Sequence, residues 1–394
     1  MDFCQKDAST RTALACRSPC SSSTSSELFC VWDVLPDVLV AKIIALLPFS
    51  SIYLARGVCK RWRETVWSPM FFSFLKSRPL HMPWLLEFQQ HMYNQAWSYD
   101  LEGCQWFHLN FSFIPETAMI LATSCGLVCL GRVAEEGYVM YVCNPLTKEW
   151  KKLPTAPRQP DVVVMDVDRQ LHAYTIVGLV TRSAAGSGSS GSVLVYNGVT
   201  QSWRETSRVP VNLRAGNLWD ATVSGGILYC LSTKQRIEAF DLELGFWSPV
   251  RYPNDSLSRI LHLQQLRQLQ GAPALEHSYI CNRKGCLAMI TPHHNWRNIF
   301  ITKLDPVSRT WRSSHISAMI GRITCVGRFS SVSLSMEHEQ SHVFLLHPKG
   351  NGHYSSVSKS FQQLPPSPIS RCKLQTGEIL VKGLWFEPRL DVAV

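Results

Sequence analysis

The chain has little that would place it among membrane, secreted or nucleotide-handling proteins. No apolar run is long enough for a spanning helix, and the greasiest stretch, Val38 to Phe49, is broken by Lys42. The N-terminal stretch MDFCQKDASTRTALACRSPCSSSTSSE holds no uncharged apolar core of the signal-peptide kind. No glycine-rich phosphate cradle, H-E-x-x-H helix or G-x-S-x-G elbow is present. Charged residues make up only 17% of the chain, and no dense Lys/Arg block accounts for the formal net charge of +10. Nucleic acid is therefore not an expected partner, nor is a membrane.

What is present is a globular composition, 45% hydrophobic over 394 residues, long enough for two folded units. Fourteen cysteines without a secretory signal read as reduced thiols in the cytoplasm or nucleus. Cys281 and Cys286 lie near His293 and His294, but no second spaced pair completes a metal site, so no metal and no cofactor is expected. Ser, Thr and scattered charges make residues 1–30 a disordered leader in this reading.

From Trp32 to Leu75 the pattern turns helical. Leu35-Pro36-Asp37 opens a helix, with proline tolerated and acid favoured in its first turn. Leu39, Ile43 and Leu47 follow at i, i+4 and i+8, an apolar stripe that ends at Pro48. Ser50 or Ser51 is expected to cap a second helix through Ile52, Ala55 and Val58. A third begins near Cys59 and runs through Trp62 towards Trp67. Three short helices bury too little surface to stand comfortably alone, so their apolar faces call for a partner or for the next domain.

Residues 97–390 repeat. An apolar residue, then Asp or Asn, then five residues, then Trp occurs at Asp100…Trp106, Asn144…Trp150, Asn197…Trp203, Asp241…Trp247 and Asp305…Trp311. Successive tryptophans are about one propeller blade apart, with wider intervals where a loop is long. Each unit reads as a hairpin whose Asx residue makes the turn and whose Trp packs between blades. A weaker sixth copy ends Phe361-Gln-Gln-Leu-Pro, echoing Trp150-Lys-Lys-Leu-Pro. Glycine-led halves containing Gly126, Gly226, Gly285 and Gly377 precede most units or end the series. The first Trp unit has no such half before it, and the last glycine-led half has no Trp unit behind it. Pairing these two halves closes a ring of six blades without exposed edges. Ser183 to Ser192 and residues 252–277 are insertions, either inert or partner-binding.

The run WDVLPDVLVAKIIALLPFSSIYLARGVCKRWRETVW resembles an F-box over its whole length, with Leu35, Pro36, Leu39, Ile43, Leu47, Ile52, Val58, Cys59, Lys60 and Trp62 matching in order. Ile52 departs from the usual leucine. The repeats, TSCGLVCLG followed by VCNPLTKEWKKLP above all, resemble the kelch repeats of plant F-box proteins. The resemblance implies a mainly β architecture: a three-helix F-box over 31–75, a linker over 76–96 and a kelch-type propeller over 97–390. It implies that Leu35, Pro36, Leu39, Ile43, Leu47, Ile52, Val58, Cys59 and Trp62 form or support a surface for Skp1, some of them as internal core. Through Skp1 the chain would reach a cullin, and the propeller would present a target protein for ubiquitination with no catalytic site of its own. The alternatives are a non-degradative scaffold for a transcription factor or metabolic enzyme, and a copper-radical oxidase. The oxidase needs clustered Tyr and His ligands, and His293-His294 sits in an expected loop.

Overall fold

The computed structural model describes residues 31–77, 84–89, 94–168, 173–181, 191–214, 216–250, 278–283, 285–293, 298–305, 308, 310–316, 331–335, 342–346, 352–355, 360–369 and 381–394. The expected leader, the insertions over 183–190 and 252–277, His294 and Gly377 lie outside these residues.

Five helical segments come first: α1 (Val31–Val34), α2 (Asp37–Ala45), α3 (Phe49–Ala55), α4 (Lys60–Val66) and α5 (Pro69–Ser77). The three expected helices are α2 to α4, with a single turn before them and α5 after. Pro36 and Pro48 stand at the caps of α2 and α3, since proline's fixed φ suits a helix entry. The expectation of Ser50 or Ser51 as a cap does not hold. The helix already begins at Phe49, and Ser50 is buried inside its first turn.

The rest of the described chain forms six four-stranded antiparallel sheets. The first holds β1 (Trp84–Gln89), β2 (Gln95–Asp100) and β3 (Gln105–Asn110). The second runs through β4 (Met119–Ser124), β5 (Leu127–Ala134), β6 (Gly137–Cys143) and β7 (Trp150–Lys152). The third comprises β8 (Val162–Asp168), β9 (Ala173–Val180), β10 (Ser192–Asn197) and β11 (Ser202–Arg208). The fourth comprises β12 (Leu218–Ser224), β13 (Ile227–Ser232), β14 (Ile237–Asp241) and β15 (Trp247–Val250). The fifth is β16 (Tyr279–Arg283), β17 (Cys286–His293), β18 (Asn298–Leu304) and β19 (Trp311–Ile316). The sixth is β20 (Ser331–Ser335), β21 (His342–Leu346), β22 (Gly352–Ser355) and β23 (Ser360–Gln363). Finally β24 (Val381–Phe386) returns to complete the first sheet.

β24 pairs antiparallel with β1 along its whole length, from Trp84↔Phe386 to Gln89↔Val381. The leading strands β4, β8, β12, β16 and β20 touch one another in turn, and β24 contacts both β20 and β4. The ring is therefore closed by the far end of the chain. One boundary differs from the sequence reading: the segment 76–96, expected as a linker, contains all of β1. Its Trp-Leu-Leu-Glu-Phe run is a sheet strand because β24 supplies its missing ladder partner, which no local pattern reveals. The returning glycine-led half contributes one described strand to the first sheet, where a plural was expected.

The repeated hairpin has a physical basis. The Asx side chain ends the third strand and accepts backbone N–H groups two or three residues on: Glu102 on Asp100, Leu146 on Asn144, Val199 on Asn197, Leu244 on Asp241 and Ser308 on Asp305. Further along the same turns, Cys104, Lys148, Gln201 and Gly245 all have positive φ, the left-handed step that reverses the chain. Trp106, Trp203, Trp247 and Trp311 then lie opposite Tyr99, Tyr196, Phe240 and Leu304 across the ladder. The apolar residue before the Asx is thus the tryptophan's cross-strand partner. Two indoles also join sheets, as Trp106 Nε1 donates to the Pro365 carbonyl and Trp203 Nε1 to that of Pro154. Both acceptors belong to the Leu-Pro echo of the preceding sheet. Trp150 likewise lies opposite Cys143 but is 40% exposed and leans on Tyr141 of its own sheet.

Asp220 on β12 ties the fourth sheet to the fifth, its Oδ2 accepting the Ile280 N–H at 2.9 Å. Burial raises its pKa to about 6, above the 3.8 of an exposed aspartate. The folded state holds the proton more tightly, so this group's contribution is complete below about pH 4 and is lost as pH rises through about 6. Unfolding curves of the wild type and Asp220→Asn, compared from pH 3 to 8, will show the wild type losing ground across that window. A constant difference between the two would show that Asp220 does not titrate there. Deleting residues 381–394 will abolish the cooperative transition of the whole ring; a deleted chain that melts as the wild type does would show that closure by β24 is dispensable.

Candidate functional site

The helical segments bury one side and expose the other. Val40, Ala41, Ile44 and Ala45 of α2, Phe49, Ile52 and Ala55 of α3, Val66 of α4 and Phe71 of α5 are all 3% exposed or less. They join Trp84, Phe107, Ile120 and Phe386 in one continuous apolar cluster. The Phe49 and Trp84 rings meet edge to face at 5.7 Å. The helices therefore sit on the first sheet and share its core.

The opposite side carries an unusual amount of exposed apolar surface: Val34, Val38, Leu39, Ile43, Leu46, Leu54 and Val58, between 37% and 68% exposed. Leu39 and Ile43, from the stripe read in the sequence, face outward, and Leu46 takes the end of that row while Leu47 is half-buried against the core. Exposed large apolar side chains in this number on one small helical unit point to an interaction site.

The sequence-derived set divides accordingly. Pro36, Leu39, Ile43, Val58 and Cys59 are exposed, and the structure brings them onto the free side of the helices. Leu35, Leu47 and Trp62 are half-buried and pack against the core. Ile52 is fully buried and cannot present its side chain to a partner. It was grouped with the docking residues by motif, whereas the packing of α3 against α2 and α4 turns it inward. Cys59 has a structural task too: its Sγ accepts the Trp62 N–H at the start of α4.

Arg61, which sequence reasoning passed over, organises the entry to this surface. Its Nε donates to Asp37 Oδ1 at 2.8 Å, while its two terminal nitrogens donate to the carbonyls of Trp32 and Leu35. One guanidinium thus fastens α1, the Leu35-Pro36 turn and the start of α2 to α4, using the planar fork that lysine lacks. Trp32 adds an edge contact to Trp62, with ring centres 4.9 Å apart. Arg56 lies over the rings of Tyr53 and Trp67 at 4.9 and 4.7 Å, a cation–π pairing that holds α3 near the end of α4. The sequence places Arg61 in the helix that begins near Cys59, but nothing in it showed that Arg61 reaches back as far as Trp32.

The propeller offers a second, weaker candidate. Val199, Leu244 and Phe246, at the third-to-fourth strand turns of neighbouring sheets, are 69%, 68% and 52% exposed. Among the described residues no cluster of three or more His, Cys, Asp or Glu could hold a metal. Cys281 and Cys286 lie half-buried on β16 and β17, and His293 ends β17. Tyr174 and Tyr196 stack at 6.0 Å between sheet strands, and burial raises both phenol pKa values above 10, so they act as neutral packing groups.

Residues 32–74 match the F-box domain family, and residues 67–264 match the family described as F-box protein At3g26010-like, beta-propeller. The chain is similar to F-box/kelch-repeat protein At3g61590 of Arabidopsis thaliana, 28% identical over 52% of each chain. It is also similar to F-box only protein 6 of the same plant, 22% identical over 57% of this chain and 48% of that one. SKP1-interacting partner 15, again from Arabidopsis thaliana, is 29% identical over 31% of this chain and 38% of its own length. The chain spans about half the length of the curated relatives it matches.

Ile52→Ala will destabilise the protein by roughly 2–5 kcal/mol, the cost of a cavity in a packed core, whereas Val58→Asp will change stability by no more than about 0.5 kcal/mol. Denaturant unfolding of both variants checks the division between inward and outward residues; equal losses would erase it.

Proposed function

This chain belongs to the F-box proteins that carry a β-propeller, and on that footing we propose that it is the substrate-receptor subunit of an SCF-type ubiquitin ligase. In this reading the free side of α1 to α4 docks Skp1, Skp1 links the chain to a cullin, and the propeller holds the protein to be modified. The observation that carries it is the exposed apolar row Val38, Leu39, Ile43, Leu46 and Val58, on helices whose other side is fully used inside the molecule. Exposed apolar side chains in that number cost solubility unless a partner covers them. The similarity to a protein named for its interaction with SKP1 supports the identity of that partner.

An adaptor of this kind performs no chemistry. It raises the local concentration of a target near a ligase, so geometry matters more than any reactive group. The shared core of helices and first sheet serves this purpose, because it fixes the angle between the docking side and the ring. None of the eight described cysteines is held in a disulfide, which suits a reducing compartment, cytoplasm or nucleus. The target is a protein recognised by loops of the ring.

Co-purification with Skp1 tests the proposal. Wild type will capture Skp1 in equal amount, and Leu39→Asp/Val58→Asp will lose it while melting within a few degrees of wild type. A well-folded wild-type chain that captures no Skp1 would reduce the helices to a cap on the first sheet. Capture of Skp1 and cullin without any fall in target abundance would favour a non-degradative scaffold.

A further inference from the structure

The residues after β24 do more than finish the ring. Glu387, Pro388 and Leu390 are buried, and the segment runs from the first sheet across the turns of the second. Leu390 enters the apolar cluster shared by the helices and the first two sheets. Val392 and Val394 pack against the next cluster, between the second and third sheets. Alternate apolar residues thus point inward along an extended stretch. On either side of Leu390, Arg389 and Asp391 form a two-pronged ion pair at 2.7 and 3.0 Å.

Asn144 is the anchor of this path. Its Nδ2 donates to the carbonyls of Arg389 and Val392 at 3.0 and 3.1 Å, while its Oδ1 still accepts Leu146 N–H for the turn. The same position of the repeat is aspartate at Asp100, Asp241 and Asp305, where only acceptance is needed. The amide in the second sheet is therefore surplus to the turn and specific to the passing segment. Gly126 makes room alongside: a Cβ there would lie 2.8 Å from Arg389 Cβ and 3.1 Å from the Glu387 carbonyl, and its φ is +84°. Thr123 adds a hydroxyl bond to the Trp385 carbonyl.

We propose that Glu387–Val394 is a strap that locks the closed ring across the second sheet, with Asn144 as its dedicated catch. β24 alone closes the ring through one ladder with β1. The strap adds a second closure that spans two further sheet interfaces, and Asn144 holds it by two backbone carbonyls that no side-chain substitution in the strap can remove. The feature is independent of Skp1 docking.

Asn144→Asp is the decisive variant, because aspartate makes the same turn in three other sheets and replaces the donor by a carboxylate facing two carbonyl oxygens. Asn197→Asp is its control, the same chemical change in the third sheet's turn. Hydrogen exchange of the 384–394 backbone will accelerate by about tenfold or more in Asn144→Asp and stay unchanged in Asn197→Asp. Leu390→Ala, made in both backgrounds, will cost less in Asn144→Asp than in wild type, since a released strap no longer buries the leucine. Unchanged exchange of the strap in Asn144→Asp would overturn the proposal. So would additive effects of the two substitutions, or an equal response to Asn197→Asp.

Discussion

The packing of Trp84 is the contact on which the rest of the structure depends. This side chain, 1% exposed, meets Phe49 of the helices at 5.7 Å, Phe107 of its own sheet at 5.3 Å and Phe386 of the closing strand at 6.3 Å. Helical unit, first sheet and far end of the chain are joined at a single indole. Aromatic side chains suit such a junction because each buries a large area and tolerates only a few mutual geometries. Five short helices cannot hold themselves together by local propensity. Their order rests on the wall that the completed first sheet provides, and that sheet is complete only when β24 has returned. The two halves of the molecule are consequently one cooperative unit in space, although they are separated in sequence by nearly the whole ring.

The ring itself is held by a device repeated with variation. An Asx turn fixes the direction of the outermost strand, and the tryptophan that follows covers an aromatic or leucine across the ladder in four of the sheets. Where an indole N–H finds a carbonyl in the preceding sheet, as in Trp106 and Trp203, the device also joins neighbours. Asn144 shows how one copy is put to another use without disturbing the turn. Its oxygen does what the aspartates do elsewhere, and its nitrogen reaches a segment at the other end of the chain. The helices carry exposed apolar side chains on the side turned away from the ring, and the ring adds a smaller exposed set at Val199, Leu244 and Phe246. Among the described residues the ring is closed by β24 on β1, and the free face of α2 and its neighbours offers exposed apolar side chains for association.

Much of this was legible from residues alone. The helix start at Pro36, the break at Pro48, the Asx-to-Trp spacing and the unmatched halves at the two ends are local or periodic signals, and they sufficed for the helical unit, the ring and its closure, although the cap of α3 is Pro48 and not a serine. β1 was not legible. Its strand character comes from partners at both sides, one of them at the far end of the chain, and proline-flanked surroundings disguised it as a linker. Ile52 was misplaced for a related reason. Motif membership marks a residue as part of a docking domain, but only the packing of α3 decides which way it points. Arg61 escaped because a guanidinium's reach to backbone carbonyls depends on the folding of α1 over α4, and carbonyls have no letter in the sequence.

By itself, then, the sequence determined the kind of elements, their number to a close approximation and the order in which they close, since turn chemistry and side-chain periodicity act locally. Tertiary structure alone decided which apolar residues became core and which became surface. It also decided that the helices share a core with the first sheet, and that one asparagine among the turn residues holds the returning chain. Those outcomes depend on contacts between distant segments, whose free energy exists only once the ring has brought them together.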